Sequence, residues 1–324
     1  MNYMGIFDRN RLDIKPLSER ESKMDLSKII NSESAPPKIS MEDYSRLEKI
    51  VSLIKKTKEQ NAPVIFAFGA HLIKNGLSKI LIELMKRGYV QHMLGNGAVS
   101  IHDWELAFQG KTEEDVQKYL EEGQFGLWEE TGKYINEAIT QHQKLGYGAA
   151  VGKLIFEEKL GKKQIPHRHK DISILGNAFS LGIPVSICSA IGQDIIYSHP
   201  KCDGASIGNA SYTDFLKFVQ TISNLENGTY LSIGSAINSP MVFEKALSMA
   251  KNAARQENRL LRNYNIIVND IQEGDWDWNK GEPLKENPIY YLRFMKTFSR
   301  AGGNSQYIKM DNRSFLHNLY HLLK

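Results

Sequence analysis

PVIFAFGAHLIKNGLSKILIELMKRG, residues 63–88, carries two structural signals back to back. The opening PVIFAFGA is a short, continuously apolar run closed by glycine, the pattern of a parallel strand buried on both faces. Beyond it, Ile73, Leu77, Ile80, Leu81 and Leu84 recur at helical spacing, Lys86 and Arg87 gather near the end, and Gly88 stops the run. A strand followed by an amphipathic helix is the repeating unit of an α/β sheet.

The alternation continues outward from this unit. VQHML (90–94) predicts a strand running into the turn Gly95-Asn96-Gly97, after which WELAF opens a helix, and a charged helix is expected over 111–122. ISILGNAFSLG (172–182) predicts a helix, and IPVSICSAI (183–191), TYLSIGSA (229–236) and YNIIVNDI (264–271) predict strands, the last closing the series. Ser239 before Pro240 predicts an N-cap and a proline at the first position of the helix PMVFEKALSMAKNAA. The expected fold class is α/β, a Rossmann-like parallel sheet with helices on both faces. Upstream, a charged helix is expected over 41–59. Residues 1–45, polar and carrying Pro36-Pro37, predict an N-terminal arm laid over a surface with little regular structure, leaving 46–324 as a single domain.

Composition narrows the functional classes. With 324 residues and 41% hydrophobic content, the chain can bury a sizeable core. Lys plus Arg total 41 against 37 for Asp plus Glu, and a dispersed net charge of +4 argues against a nucleic-acid partner. Cys188 and Cys202 form no CxxC pair, and the polar start MNYMGIFDRNRLD does not suit a secretory signal, so a reducing, cytoplasmic location is expected. No apolar stretch approaches the roughly 18–20 residues a membrane span requires.

In an open parallel sheet, ligands bind beyond the carboxyl ends of the strands. Four predicted strand exits share a composition: GAHLIKNG (69–76), GNGAVSIHD (95–103), SAIGQDIIYSHP (189–200) and GSAINSP (234–240). Glycine, serine, alanine and asparagine there let backbone N–H groups approach a phosphate, and several of these turns open a helix whose N-terminus favours an anion. A dinucleotide suits such a floor. The same glycines equally mark tight strand-to-helix turns, and no complete GxGxxG fingerprint is present.

These blocks, in this order and spacing, resemble those of deoxyhypusine synthase from about residue 60 to the C-terminus, and KPLSER (15–20) resembles the N-terminal segment of its bacterial relatives. The resemblance implies a Rossmann-like sheet, NAD at the strand ends and a homotetramer of paired subunits. It also implies oxidation of spermidine with NAD, then transfer of an aminobutyl group through an imine on a lysine to a protein lysine. It places Ala70, His71, Leu72, Ile73 and Lys74 on the first NAD-lining loop, Asn96, Gly97 and Ala98 on the second, and Gly234 and Ser235 on the third. Asp194 matches the acid closing the family's substrate loop. Lys296, set before Asp311 at about the family's spacing, corresponds to the imine-forming lysine. The departures concern the polyamine: Ile101 and His102 replace its paired glutamates, Ser239 and Pro240 stand where its histidine would be, and EGDWDWNKGEP replaces its glycine-serine-aspartate run. An ammonium without carboxylates is costly to desolvate, which argues against spermidine.

Read one by one, the residues keep two meanings each. Lys296 serves as a Schiff-base lysine if desolvated, or is a solvated surface residue. His102 and Asp103, after a glycine turn at a strand end, form a general base with its orienting partner, or a packed histidine beside a helix-capping aspartate. Asp194, His199 and Asp203 lie in a long glycine-rich loop read as substrate-binding. A metal held by His199 and Asp203, or by His167, His169 and Asp171, would follow no recognised ligand spacing, and none is expected. Glu129 and Glu130 either restore lost carboxylates or complement a helix dipole. Cys188 and Cys202 read as buried fillers. Together these readings predict an NAD-dependent transferase or oxidoreductase acting on an amine-bearing small molecule other than spermidine. The alternative is a non-catalytic nucleotide-binding or regulatory protein that retains the fold.

Overall fold

The computed structural model describes residues 5–324. In chain order its elements are β1 (Ser22–Asp25), α1 (Met41–Glu59), β2 (Val64–Phe68), α2 (His71–Lys74), α3 (Ser78–Lys86), β3 (His92–Gly95), α4 (Gly97–Gln109), β4 (Lys111–Glu114) and α5 (Val116–Glu121). There follow α6 (Glu129–His142), α7 (Tyr147–Glu157), β5 (Lys159–Leu160), β6 (Lys163–Gln164), α8 (Ile174–Leu181), β7 (Val185–Ile187) and α9 (Gly204–Ile222). The chain ends with β8 (Thr229–Ile233), α10 (Asn238–Gln256), β9 (Asn265–Asp270), α11 (Arg293–Ala301), β10 (Asn304–Lys309) and α12 (Asn312–Leu323).

Six strands form one sheet in the order β10-β9-β8-β2-β3-β7, and every neighbouring pair is parallel. Numbered along the chain, that order reads 3-2-1-4-5-6 from the β7 edge, the doubly wound arrangement of dinucleotide-binding folds. The Rossmann-like expectation is borne out. All five residues of β2 are buried, because alternate side chains enter opposite cores. Val64, Phe66 and Phe68 pack with Leu47 and Ile54 of α1, Leu81 of α3 and Leu316 of α12. Ile65 and Ala67 face Phe218 of α9, Phe243 of α10 and Phe298 of α11. Period-2 geometry therefore explains why this strand reads as unbroken apolar sequence.

Several local expectations are corrected. The charged segment 111–122 is not one helix: β4 pairs antiparallel with β1, Glu113 takes a left-handed backbone (φ 69°), and only α5 is helical. Tertiary pairing with the arm overrides helix propensity there. Ser239 is not the cap of α10; its buried hydroxyl hydrogen-bonds Tyr230 Oη at 2.7 Å, and α10 begins at Asn238. The long loop after β7 is shorter than expected, since Asp203 caps α9, which runs through Gly204 and Gly208. β9 does not close the sheet; β10, with its mixed burial, forms the edge. The arm has more structure than its composition suggests. It contributes β1, buries Leu17 and Met24, and inserts Arg20 into the body.

Gly69, at the end of β2, has its backbone against the end of β8: an added Cβ would lie 2.7 Å from the carbonyl oxygen of Gly234. Gly69→Ala should therefore wedge the central strands apart and cost about 1–3 kcal/mol, read as a lower urea midpoint at unchanged slope. Gly208→Ala is the control. It lies inside α9 with nothing within 4 Å of the new methyl and should stabilise by roughly 0.5–1 kcal/mol.

Candidate functional site

β2 is flanked on one side by β3, which follows it, and on the other by β8, reached only after β7, so the strand order reverses at β2 and a crevice opens above its carboxyl end. The cavity there measures about 790 Å³. Its floor comes from the β2 turn (Gly69, Ala70, His71), the β3 turn (Asn96, Ala98) and the β8 turn (Gly234, Ser235). The segment after β7 supplies a wall with Cys188, Ser189 and Asp194. A smaller cavity of about 320 Å³ extends over the ends of β9 and β10 and shares His71 and Gly234.

Asp194 is the one carboxylate among the lining residues of the larger cavity. It lies directly over Gly97, where an added Cβ would fall 2.2 Å from its Oδ2, so only glycine admits this approach. Burial raises its pKa to about 6, although the Ala190 N–H donates to it at 3.2 Å. Two ammonium groups line the cavity: Lys74, paired with Glu113 at 2.9 Å, and Lys245, paired with Glu244. His71 is held below its ordinary pKa by burial and by Lys74. Two residues that line these cavities each keep one polar atom without a partner. Asn238 Nδ2 and Asn269 Oδ1 are buried without a partner in the protein. A buried donor and a buried acceptor left open at the strand ends are what a polar ligand satisfies.

His102, on the second turn of α4, also lines the crevice. Its Nδ1 lies 2.7 Å from Thr112 Oγ1, which donates to Glu105 Oε2 at 2.6 Å. Glu105 also accepts from Thr131 and takes both arms of the Arg20 guanidinium at 2.7 Å. Burial alone would raise the Glu105 pKa, yet Arg20 and the hydrogen bonds hold it below its ordinary value. Removing either partner of such a buried pair costs about 3–5 kcal/mol. Burial drives His102 down to about 4, so the imidazole is neutral at pH 7.

The comparisons with known proteins follow this geometry. Residues 48–129, from α1 to the start of α6, match a family model described as the C-terminal Rossmann fold of ArgZ-like arginine dihydrolase. No curated protein matches the chain. Among solved structures, the fold is similar to that of AgrE in a ternary complex with ornithine and NAD+, with a TM-score of 0.53 and 15% identity over 89% of this chain and 34% of that one. It is also similar to a conserved putative LOR/SDH protein from Methanococcus maripaludis S2, with a TM-score of 0.50 and 14% identity over 93% of this chain and 73% of that one. A putative deoxyhypusine synthase from Entamoeba histolytica aligns at 9% identity and a TM-score of 0.47 over 86% of this chain and 87% of that one. The chain spans about a third of the length of the ArgZ and AgrE structures. At these identities the shared property is the Rossmann-type fold, and the matching family model is ArgZ-like rather than specifically that of deoxyhypusine synthase. Among the described residues, no helix is long and apolar enough to cross a membrane, and no group of three or more His, Cys, Asp or Glu side chains is placed to hold a metal.

The structure brings together Ala70, His71, Lys74, Asn96, Ala98, His102, Asp194, Gly234 and Ser235 around one cavity, with Gly97 beneath Asp194. Leu72 and Ile73 turn into the core instead. Asp103 points away from its neighbour His102. It accepts from Ser173 Oγ at 2.6 Å and from the N–H groups of Ile174 and Leu175 at 2.7 and 3.0 Å, anchoring the start of α8. His199 bonds Glu129 at 3.2 Å beside α6, Asp203 caps α9, and Glu130 accepts from the Leu17 N–H at 2.7 Å, all outside the crevice lining. Cys188 lines the crevice, but burial lifts its thiol to about 12. Residues missed in the sequence are Asn238, Met241, Val242 and Lys245, which line the cavity from one face of α10. Their i, i+3, i+4, i+7 spacing behind a glycine-rich turn was the available signal. Lys296 lies off the crevice on α11, 3.3 Å from Glu282 and 3.5 Å over the Tyr290 ring. Tyr290 and then Glu282 raise its pKa, the opposite of what an imine-forming amine needs. Lys296→Met should leave ligand affinity in the crevice within about twofold of the parent by calorimetry, as expected for a change outside the lining of the site.

Proposed function

We propose that this chain is an NAD-linked enzyme that oxidises an amine-bearing small molecule at the crevice above β2. The observation that carries the reading is the crevice at the point where strand order reverses, floored by three turns of small residues. The residues present suit a dinucleotide. Gly69 and Gly234 keep the floor free of side chains, Lys74 and Lys245 offer positive charge to a pyrophosphate, and Asn238 Nδ2 and Asn269 Oδ1 offer an unused donor and acceptor. When bound, NAD supplies a hydride acceptor. The similarity of the fold to AgrE, a protein solved with ornithine and NAD+, supports the same pairing of cofactor and amine here.

The chain's own groups divide the remaining work. Asp194, ionised above about pH 6, pairs with the substrate's ammonium and orients it. His102, neutral at pH 7, offers a hydrogen-bond acceptor to a donor of the substrate. With a single carboxylate in the larger cavity, the site suits one ammonium better than a polyamine. The position of Asp194, over the glycine turn that ends β3, the second strand of the main sheet in chain order, favours a second reading in which it takes ribose hydroxyls.

Calorimetry with NAD and with candidate amines tests all of this. NAD should bind the wild-type protein, and absence of binding would end the cofactor reading. Asp194→Asn should weaken the amine about 10- to 100-fold while sparing NAD, the loss expected of one charge-assisted hydrogen bond. A loss of NAD affinity instead selects the ribose reading. Amine affinity of the wild-type protein should fall as pH drops below about 6, because Asp194 gains its proton there.

A further inference from the structure

His102 reaches the crevice from a chain of hydrogen bonds whose direction is fixed at every link. Arg20 carries only donors, so Glu105 accepts at both oxygens. With Arg20 and Glu105 1% exposed at their side chains, the pair is sealed from water, and the guanidinium holds Glu105 ionised. An ionised carboxylate has no proton to give, so the Thr112 hydroxyl must donate its single hydrogen to Glu105. Having spent that hydrogen, Thr112 can only accept at its remaining contact. His102 must therefore carry its proton on Nδ1.

We infer that Thr112 is a positioning residue: braced by Glu105 and the arm's Arg20, it fixes His102 as the Nδ1–H tautomer and leaves the Nε2 lone pair to the crevice as a hydrogen-bond acceptor for the ligand. The inference rests on the reading of the crevice as the reaction site. No hydrogen bond among the described residues engages Nε2, and the ring lines the cavity, so the lone pair is neither spent nor sealed. Other charged groups around the ring are Lys74 on α2 and Glu113 on β4, which pair with each other. Thr112 is itself held in register by the arm, because the β1–β4 ribbon sets Met24 opposite it. The Thr112 hydroxyl is buried at 0% exposure between a carboxylate and an imidazole and makes a hydrogen bond to each, which valine of similar shape would not.

Imidazole nitrogen shifts in protein labelled with 15N-histidine report the tautomer directly. In the wild type at pH 7, His102 should show a protonated Nδ1 and a bare Nε2. Thr112→Val removes the acceptor and should move the proton wholly or largely to Nε2, whereas Thr112→Ser should retain the wild-type pattern. A bare Nδ1 in the wild type overturns the inference without need of any variant. An unchanged tautomer in Thr112→Val, or a lost one in Thr112→Ser, overturns the assignment to the hydroxyl. Substrate turnover, once an amine is found, should drop in Thr112→Val through kcat more than KM, with NAD affinity unchanged. Failure of this inference and failure of the cofactor reading are distinguishable, since one is read from nitrogen shifts and the other from calorimetry.

Discussion

A parallel strand whose two neighbours are reached in opposite directions cannot have its carboxyl end roofed by either connection. β2 is that strand, and the requirement that all its side chains be buried in two cores fixes where the opening falls. The segments that leave β2, β3, β7 and β8 must then pass one another closely, which is why Gly69 faces the Gly234 carbonyl and Gly97 faces the Asp194 carboxylate. Burying apolar strands thus produces, without further design, a concave floor of backbone amides and small side chains. Everything chemical in the molecule is arranged around that floor.

What surrounds the floor is electrostatically uneven. Buried carboxylates either stand in a fully satisfied setting, as Asp103 does at the start of α8, or are neutralised by a bidentate partner, as Glu105 is by Arg20. Asp194 has neither, only one N–H at 3.2 Å, and it is the one that faces the crevice. A carboxylate under-satisfied by its own protein is poised to gain from a ligand's donors. The same contrast separates the histidines. His92 is engaged at both nitrogens, by Thr221 and Ser186, while His102 is engaged at one.

The β2–α3 unit was legible because its signals are local: an apolar run of strand length, then a helical period. The edge strand β10 was not, since NSQYIK is mostly polar and alternates irregularly in burial, and only its pairing with β9 makes it a strand. The turns flooring the crevice could be nominated from composition, because small residues are required wherever backbones approach. The facing of individual side chains could not. One step along a helix rotates a side chain by about a quarter turn or more, enough to put His102 in the crevice and Asp103 against α8. Lys296 keeps its spacing from Asp311, but spacing along the chain does not say which side of α11 meets the sheet. The role of Arg20 left no local trace either; its partner is 85 positions away, and only the folded arm brings them together.

The polar N-terminal stretch has an importance its composition hides. All six strands of the sheet lie beyond the arm, yet without the arm Glu105 would be left in the interior without a counter-charge. A segment that looks like packaging supplies the counter-charge of a buried carboxylate, and whatever loosens that wrapping disturbs the hydrogen bonds that run from Glu105 through Thr112 to His102.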